Sequence, residues 1–471
     1  GYVILNSKTV FALDAKTGKQ IWFTPVVASN TNNSIQAGGK YPITTEGAHT
    51  HGMNYIDGQI WITDYGCAVT VLNAKTGKVD RQYRDLCLEI PINDPRGVGI
   101  PTNSGWYGSI FSFPPTVYKG GNSFFFGQGG ASEGTWGGRL YAAMYDITTG
   151  KLIWRTFLMP PCGDPKTCGP GKDGPLFVKE KREWEQWLVD NCSKIWIQQI
   201  KACEIDQDIL RKDWDEMRSN SGISQIWSTG MVDEETGIVY FGTAQAGPDW
   251  NKTYAPGPNL FGASIIALNA KTGALVWAHQ TTTHDLWDYD CSWNGILTTA
   301  KVKGQTKKVV MKGCKNGIAY ILDAATGEAL WVFESPSIKR TPNAYLYNPK
   351  SKEDMTKPWL GYPSKDSFWL NCPAGGCLES DIAYDPTRNT VYFAIQNSPS
   401  WSKVGPAEIR GEDTAQAVPT EVQVKDPEPF FTSTSSIKFF KLPVEVATPN
   451  IPSAQSSSTP YEPFDVKNNS A

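Results

Sequence analysis

One eleven-residue pattern recurs along the chain, as "ALDAKTGKQIW" (12–22), "VLNAKTGKVDR" (71–81), "MYDITTGKLIW" (144–154), "ALNAKTGALVW" (267–277) and "ILDAATGEALW" (321–331). Apolar residues lead into Asp or Asn, a Thr–Gly turn follows, and an apolar strand leaves it. The Gly supplies a positive φ, and the Asp or Asn side chain can bond the turn backbone. Each copy therefore reads as a β-hairpin. In every copy but the second, a Trp stands eight residues after the Asp or Asn, where it can pack against a neighbouring unit. "MVDEETGIVYFGT" (231–243) and "AYDPTRNTVYFAIQ" (383–396) look like a second hairpin of the same kind of unit. A chain built from such hairpins, with connections of unequal length, predicts radial sheets around an axis. The expected fold is an all-β, eight-bladed β-propeller.

Composition agrees. Across 471 residues there are 18 Trp, 44 Gly and 32 Pro, which suits short strands and turns. Charged residues make up 19%, below the roughly 25% of an average soluble chain. The net charge of −3 leaves no basic footprint for nucleic acid, so small molecules are the expected ligands. No apolar run reaches the roughly 18 residues needed to span a membrane. The whole of 1–471 reads as one propeller domain. A charged, Gly-free stretch over 176–220 places Trp184, Trp187, Leu188, Cys192 and Ile195 on one helical face, within an inserted excursion at 161–222. That excursion suits a cap or an oligomer contact, so a homo-oligomer is expected. A Pro/Ser/Thr-rich segment at 405–471 is expected to close the ring.

The ten cysteines include near pairs at 67/87, 162/168 and 372/377, and none form CxxC. Disulfides in an oxidising compartment fit this spacing, so export to the periplasm or the outside is expected. Buried free thiols are the alternative.

In a propeller, chemistry gathers where loops converge on the axis. "THDLWDYDCSWNG" (283–295) directly follows the fourth repeat and holds His284, Asp285, Asp288 and Asp290 among Trp287 and Trp293. These acids either bond turn backbones or form an acid–base centre. Cys291 beside them is expected to pair with Cys314 rather than to react.

This stretch, followed by "KKVVMKGCKNGIAYILDAATGEALW", resembles the pyrroloquinoline-quinone (PQQ) dehydrogenase superfamily. The resemblance extends to "GGASEGTWGGRLYAAMYDITTGKLIW" and implies an eight-bladed propeller with a funnel site. It makes Asp288 the catalytic base, Asp290 an additional metal-binding acid, Lys315 the basic residue beside the quinone and Trp227 the ring beneath it. Glu133 lies near the metal-ligating Glu. Three departures stand beside it. No adjacent Cys–Cys pair is present, Gln245 stands near the usual Asn, and Leu378–Glu379 replaces a frequent Asn–Trp.

A propeller with this motif and an altered quinone set is similar to the tetrathionate hydrolases of acidophilic sulfur oxidisers. The expectation drawn from that similarity is a hydrolase with no cofactor, acting on a small anionic sulfur substrate. Asp288 would activate water for attack on sulfur, with Asp290 or Asp285 tuning it. Lys315 and Arg139 would clamp sulfonates, and Trp227, Trp293 and Glu379 would shape the pocket. The alternative is a PQQ-dependent alcohol dehydrogenase with Ca²⁺ or a lanthanide, held by Glu133, Gln245 and Asp290. A non-catalytic propeller scaffold would leave the acid cluster without a purpose.

Overall fold

The computed structural model describes residues 7–27, 52–64, 68–83, 86, 113–128, 140–160, 181–214, 222–223, 226, 228–247, 257–285, 287–334, 338, 369–372, 376–378, 381–396, 400–402, 407–409, 422–424 and 464–465. All five repeats are antiparallel hairpins. At each turn the Asp or Asn oxygen accepts a backbone N–H three residues on, as Thr17 N donates to Asp14 Oδ1 at 2.7 Å. The turn glycines, Gly18, Gly77, Gly150, Gly273 and Gly327, all sit near φ +70°.

The first unit is the pair β1 (Ser7–Leu13) and β2 (Gln20–Val27). The second is a meander of β3 (Asn54–Ile56), β4 (Gln59–Asp64), β5 (Ala68–Asn73) and β6 (Val79–Tyr83). The third runs through β7 (Thr116–Tyr118), β8 (Ser123–Gln128), β9 (Tyr141–Asp146) and β10 (Leu152–Phe157). An excursion then supplies β11 (Ile195–Ile197) and β12 (Ile200–Lys201), and a short ribbon pairs β13 (Gly222–Ile223) with β16 (Ala246–Gly247). The fourth unit is β14 (Met231–Asp233), β15 (Ile238–Gly242), β17 (Ser264–Asn269) and β18 (Leu275–Gln280). The fifth is β19 (Ile296–Val302), β20 (Gln305–Cys314), β21 (Ile318–Asp323) and β22 (Ala329–Glu334). Beyond it, β23 (Trp369–Asn371) pairs with β26 (Ser400–Ser402), and β24 (Ala383–Asp385) with β25 (Thr390–Tyr392). Near the end β27 (Ala407–Ile409) pairs with β28 (Val422–Val424), and β29 (Phe464–Asp465) returns to β25.

Successive units are bolted together in chain order by the expected tryptophans. Trp22 Nε1 donates to Ala74 O of the next turn, Trp154 to Ala270 O and Trp277 to Ala324 O, at 2.8–3.0 Å. Each indole ring fills the place where a Cβ of the turn glycine would stand, at Gly77, Gly273 and Gly327. Two residues on, a second bond repeats the link: Thr24 to Gly77 O, Thr156 to Gly273 O, and His279 Nδ1 to Gly327 O. In the second unit, which lacks the Trp, Tyr83 donates to Ile147 O instead.

An inner circle of contacts runs parallel to this outer one. Asn54 reaches Pro115 O, Thr116 reaches Gly230 O, Asn294 Oδ1 accepts Thr229 N, and Asp381 accepts both nitrogens of Asn294. The first strands of neighbouring units thus stand side by side around one axis. Apolar side chains fill the seams between units, such as Phe124, Tyr145 and Trp61 between the second and third. The architecture is a propeller with few helices. Among the described residues the ring is not seen to close, and the expected count of eight blades is not reached.

The excursion departs from the helical expectation. Among the described residues of the excursion, only α1 (Lys181–Asp190) and α2 (Gln207–Arg211) are α-helical. Trp184 and Leu188 are buried, whereas Ile195 lies in β11. Cys192, placed on the helical face by the periodicity, is bonded to Cys203. β11 pairs in parallel with β18, so the excursion widens the fourth sheet to six strands. No helix among the described residues is long and apolar enough to cross a membrane.

Candidate active site

The loop leaving β18 is fixed by its own buried polar groups. His284 sits at φ +49° with Nδ1 2.7 Å from Gly257 O. The Asp285 carboxylate accepts Trp287 N and Tyr289 N at 2.8 Å through its two oxygens and is 1% exposed. Asp285 therefore builds the loop, where it had been expected to tune the base. Trp287 stacks on Tyr289, whose hydroxyl donates to Cys372 O at 2.7 Å.

This scaffold presents Asp288 at φ +64°, a backbone conformation that Asp and Asn tolerate better than most residues. Lys315, two residues before the φ-positive Gly317 of the β20–β21 turn, brings its ammonium between two acids. Its Nζ lies 2.8 Å from Asp290 Oδ2 and 3.3 Å from both oxygens of Asp288. The side chains of Lys315 and Asp290 are 8% and 6% exposed, while that of Asp288 is 19% exposed. Asp290 Oδ1 also accepts Gln245 N at 2.6 Å, and the Asp290 carbonyl accepts Lys315 N at 2.9 Å. Asp290 is thus gripped on both oxygens, and Asp288 is the more open carboxylate, held by longer contacts.

The surroundings are close-packed. The carbonyl oxygen of Cys291 occupies the place of a Cβ on Gly242, so β15 and the loop can touch only through glycine. Gly376 lies against the Lys315 stem in the same way, and Leu378 fills the face of Gly313. Lys312, on β20, is fully buried without a hydrogen-bond partner, and burial pushes its amine down to about 7. Trp293 is half-buried just before Asn294 of the inner circle.

The structure therefore brings Asp288, Asp290, Lys315 and Gln245 together. Glu133, Arg139, Trp227 and Glu379 lie outside the described residues, as do the 67/87 and 162/168 cysteine pairs. Two expected disulfides are present, Cys291–Cys314 and Cys372–Cys377. Sequence reasoning missed the Gln245 backbone donor, because a main-chain N–H leaves no mark in the residue string.

Residues 187–344 match the family model for the PQQ glucose/ethanol/alcohol dehydrogenase β-propeller domain. The dehydrogenase subunit of a quinone alcohol dehydrogenase from Gluconobacter oxydans is 28% identical over 412 residues, covering 84% of this chain and 46% of that protein. Quinohemoprotein alcohol dehydrogenase ADH-IIG of Pseudomonas putida is 29% identical over 325 residues, covering 68% of this chain and 36% of that protein. The propeller is similar to those of the quinoprotein dehydrogenase superfamily. Its fold superposes on the quinohemoprotein alcohol dehydrogenase of Comamonas testosteroni with a TM-score of 0.55 at 21% identity, covering 84% of this chain and 50% of that one. A europium-containing methanol dehydrogenase gives 0.53 at 20% identity, covering 85% and 60%. The chain spans about half the length of the curated relatives it matches.

These relatives overturn three expectations. They are quinone alcohol dehydrogenases, so the hydrolase acting on tetrathionate, its anionic sulfur substrate and the absence of a cofactor are all corrected. The physical reason is that the departures leave the donor chemistry of the site in place. Gln245 still carries the amide oxygen of the Asn it replaces, on a stem one methylene longer. Leu378 has a packing role against Gly313. Neither change removes a charged group from the site. The residues present also fit the group: carboxylate and amide oxygens are the hard donors that Ca²⁺ takes, and the Lys315 ammonium complements an anionic quinone.

Proposed function

We propose that this chain is the propeller of a PQQ-dependent alcohol dehydrogenase that oxidises small alcohols. The observation that carries it is the Lys315 ammonium held between Asp288 and Asp290 in the funnel loops. Asp288 is the general base. It is the more exposed of the two acids and the farther from the Lys315 ammonium, so it is the one an alcohol can approach. Lys315 holds the quinone by charge. Asp290 and Gln245, with Glu133, supply oxygen donors for Ca²⁺ or a lanthanide, while Asp285 keeps the loop in shape. When bound, the quinone would take up the two electrons of the alcohol, and its redox-inert cation would polarise it. The resemblance assigns Trp227 to the ring beneath the quinone, and Trp293 is half-buried at the end of the same loop as Asp288.

Three disulfides among the described residues support export to an oxidising compartment. An eight-fold ring is part of the same proposal, supported by six consecutive units joined in order. The test is reconstitution of the purified protein with PQQ and Ca²⁺ or a lanthanide. Quinone absorbance and dye-linked oxidation of a primary alcohol are expected. A protein that binds no quinone and oxidises no alcohol under these conditions refutes it.

A further inference from the structure

The Cys291–Cys314 disulfide occupies a singular place in this site. Cys291 directly follows Asp290, and Cys314 directly precedes Lys315. Both cysteines are fully buried, and their Cα atoms are 4.4 Å apart. The bridge joins two different units: the loop leaving the fourth, and the end of β20 in the fifth. Around it the backbone is tied in register, with Lys315 N on Asp290 O and Cys291 N on Thr243 O. The second bridge, Cys372–Cys377, lies on the other side of the same turn. Cys377 N donates to Lys315 O, and Cys372 Sγ lies 3.7 Å from Asn316 O.

We infer that the Cys291–Cys314 bridge is a positioning element for the reaction, holding the Lys315 ammonium in register with Asp290 and Asp288 across the seam between two blades. The inference rests on the dehydrogenase reading of the site. Its physical basis is the length of the lysine stem. A side chain with four rotatable bonds loses considerable freedom when its ammonium is held at one spot. A bound anionic quinone would also compete with the two acids for that ammonium. Fixing the backbone of residues 290 and 315 to each other by a covalent bond limits where Lys315 can go when the competition occurs. Trp277 and His279 tie the same two units at their turns, and the bridge adds a covalent tie beside Lys315 itself. Both cysteines are buried and bonded to each other, so the role assigned to them is one of positioning.

The test compares Cys291→Ala/Cys314→Ala with Cys192→Ala/Cys203→Ala, which removes the remote bridge of the excursion. Three readouts are taken: PQQ affinity by fluorescence quenching, kcat against KM for a primary alcohol, and amide hydrogen exchange of the protein alone. The site variant is expected to lose about tenfold or more in PQQ affinity and kcat, with alcohol KM within about twofold of wild type. Its exchange should rise locally, over 243–247, 287–292 and 312–318. The remote variant should lower only the melting temperature. A folded site variant with wild-type affinity, kcat and exchange overturns the inference, as does a loss of stability with exchange raised evenly throughout.

Should the double variant fail to fold, the folded wild type is treated with a water-soluble phosphine. The phosphine gives two electrons to the disulfide and takes its oxide oxygen from water, whose two protons complete the two thiols, which are then alkylated and mapped. Unchanged PQQ affinity with Cys291 and Cys314 alkylated overturns the inference equally. A wild type that binds no PQQ refutes the dehydrogenase reading instead, and local exchange then decides the role of the bridge.

Discussion

At the scale of single residues, two ionisable side chains lead to opposite expectations. Asp288 holds a positive φ that Asn also adopts, so Asp288→Asn preserves the loop while removing the base. Alcohol oxidation by the reconstituted enzyme should fall by roughly 10²–10⁴-fold, with quinone binding largely kept. Retained turnover would move the base elsewhere. Lys312 has no counter-charge within hydrogen-bond reach, and burial lowers its amine from 10.5 to about 7. The folded state thus binds fewer protons than the unfolded one between those values, and it loses stability as pH falls from 10.5 toward 7. Lys312→Met removes that penalty and should stabilise the fold by about 1–4 kcal/mol. Chemical denaturation at intervals down that range should show the advantage growing as pH falls. The site was partly legible at this scale. The acids stood out as charge in a Trp-rich loop, whereas Lys315 came only from the resemblance of "GCKNG" to the quinone dehydrogenases. The double anchoring of Asp285 on backbone amides was not, since an Asp written in a loop looks the same in either role.

At the scale of elements, the hairpins were legible because their turn chemistry is local, and each Asp or Asn and Gly acts within five residues. The excursion was not. Its parallel pairing with β18 and its Cys192–Cys203 bond depend on partners that helical periodicity ignores. His279 shows how a repeat can be altered without being lost. It stands where two other units use Thr, and its Nδ1 makes the same bond to the next turn. Trp196 of the excursion stacks on its ring. Burial pushes the imidazole down to about 4, so the fold holds it neutral with Nδ1 as the donor. The unfolded chain binds this proton near 6.5, and stability therefore falls as pH drops from 6.5 through 4. His279→Thr keeps the inter-unit bond and abolishes that proton uptake. The variant should resist acid better than wild type, by at most about 3 kcal/mol at pH 4. Parallel melting curves with equal acid sensitivity would show that His279 is not what titrates.

At the scale of the whole molecule, the units form a chain of pairwise docks, with Trp22, Trp154 and Trp277 each entering the turn of its successor. A relay of this kind couples nearest neighbours more strongly than distant ones. The ring was legible in outline because every link is written in the repeat, whereas the number of blades was not, since units that lack the Trp join by other groups such as Tyr83. Trp154 offers the sharpest probe of the relay, sitting between the third and fourth units with both of its links intact at Ala270 and Gly273. Trp154→Phe keeps an apolar ring and deletes the indole donor and part of its buried surface. Such a loss from a packed seam costs about 1–3 kcal/mol. Hydrogen exchange should then rise in β9, β10, β17 and β18 and remain near wild type in β20 and β21. Exchange that rises equally in all units would mean that the ring unfolds as one body, and that the docks are shared by the whole circle instead of belonging to each seam.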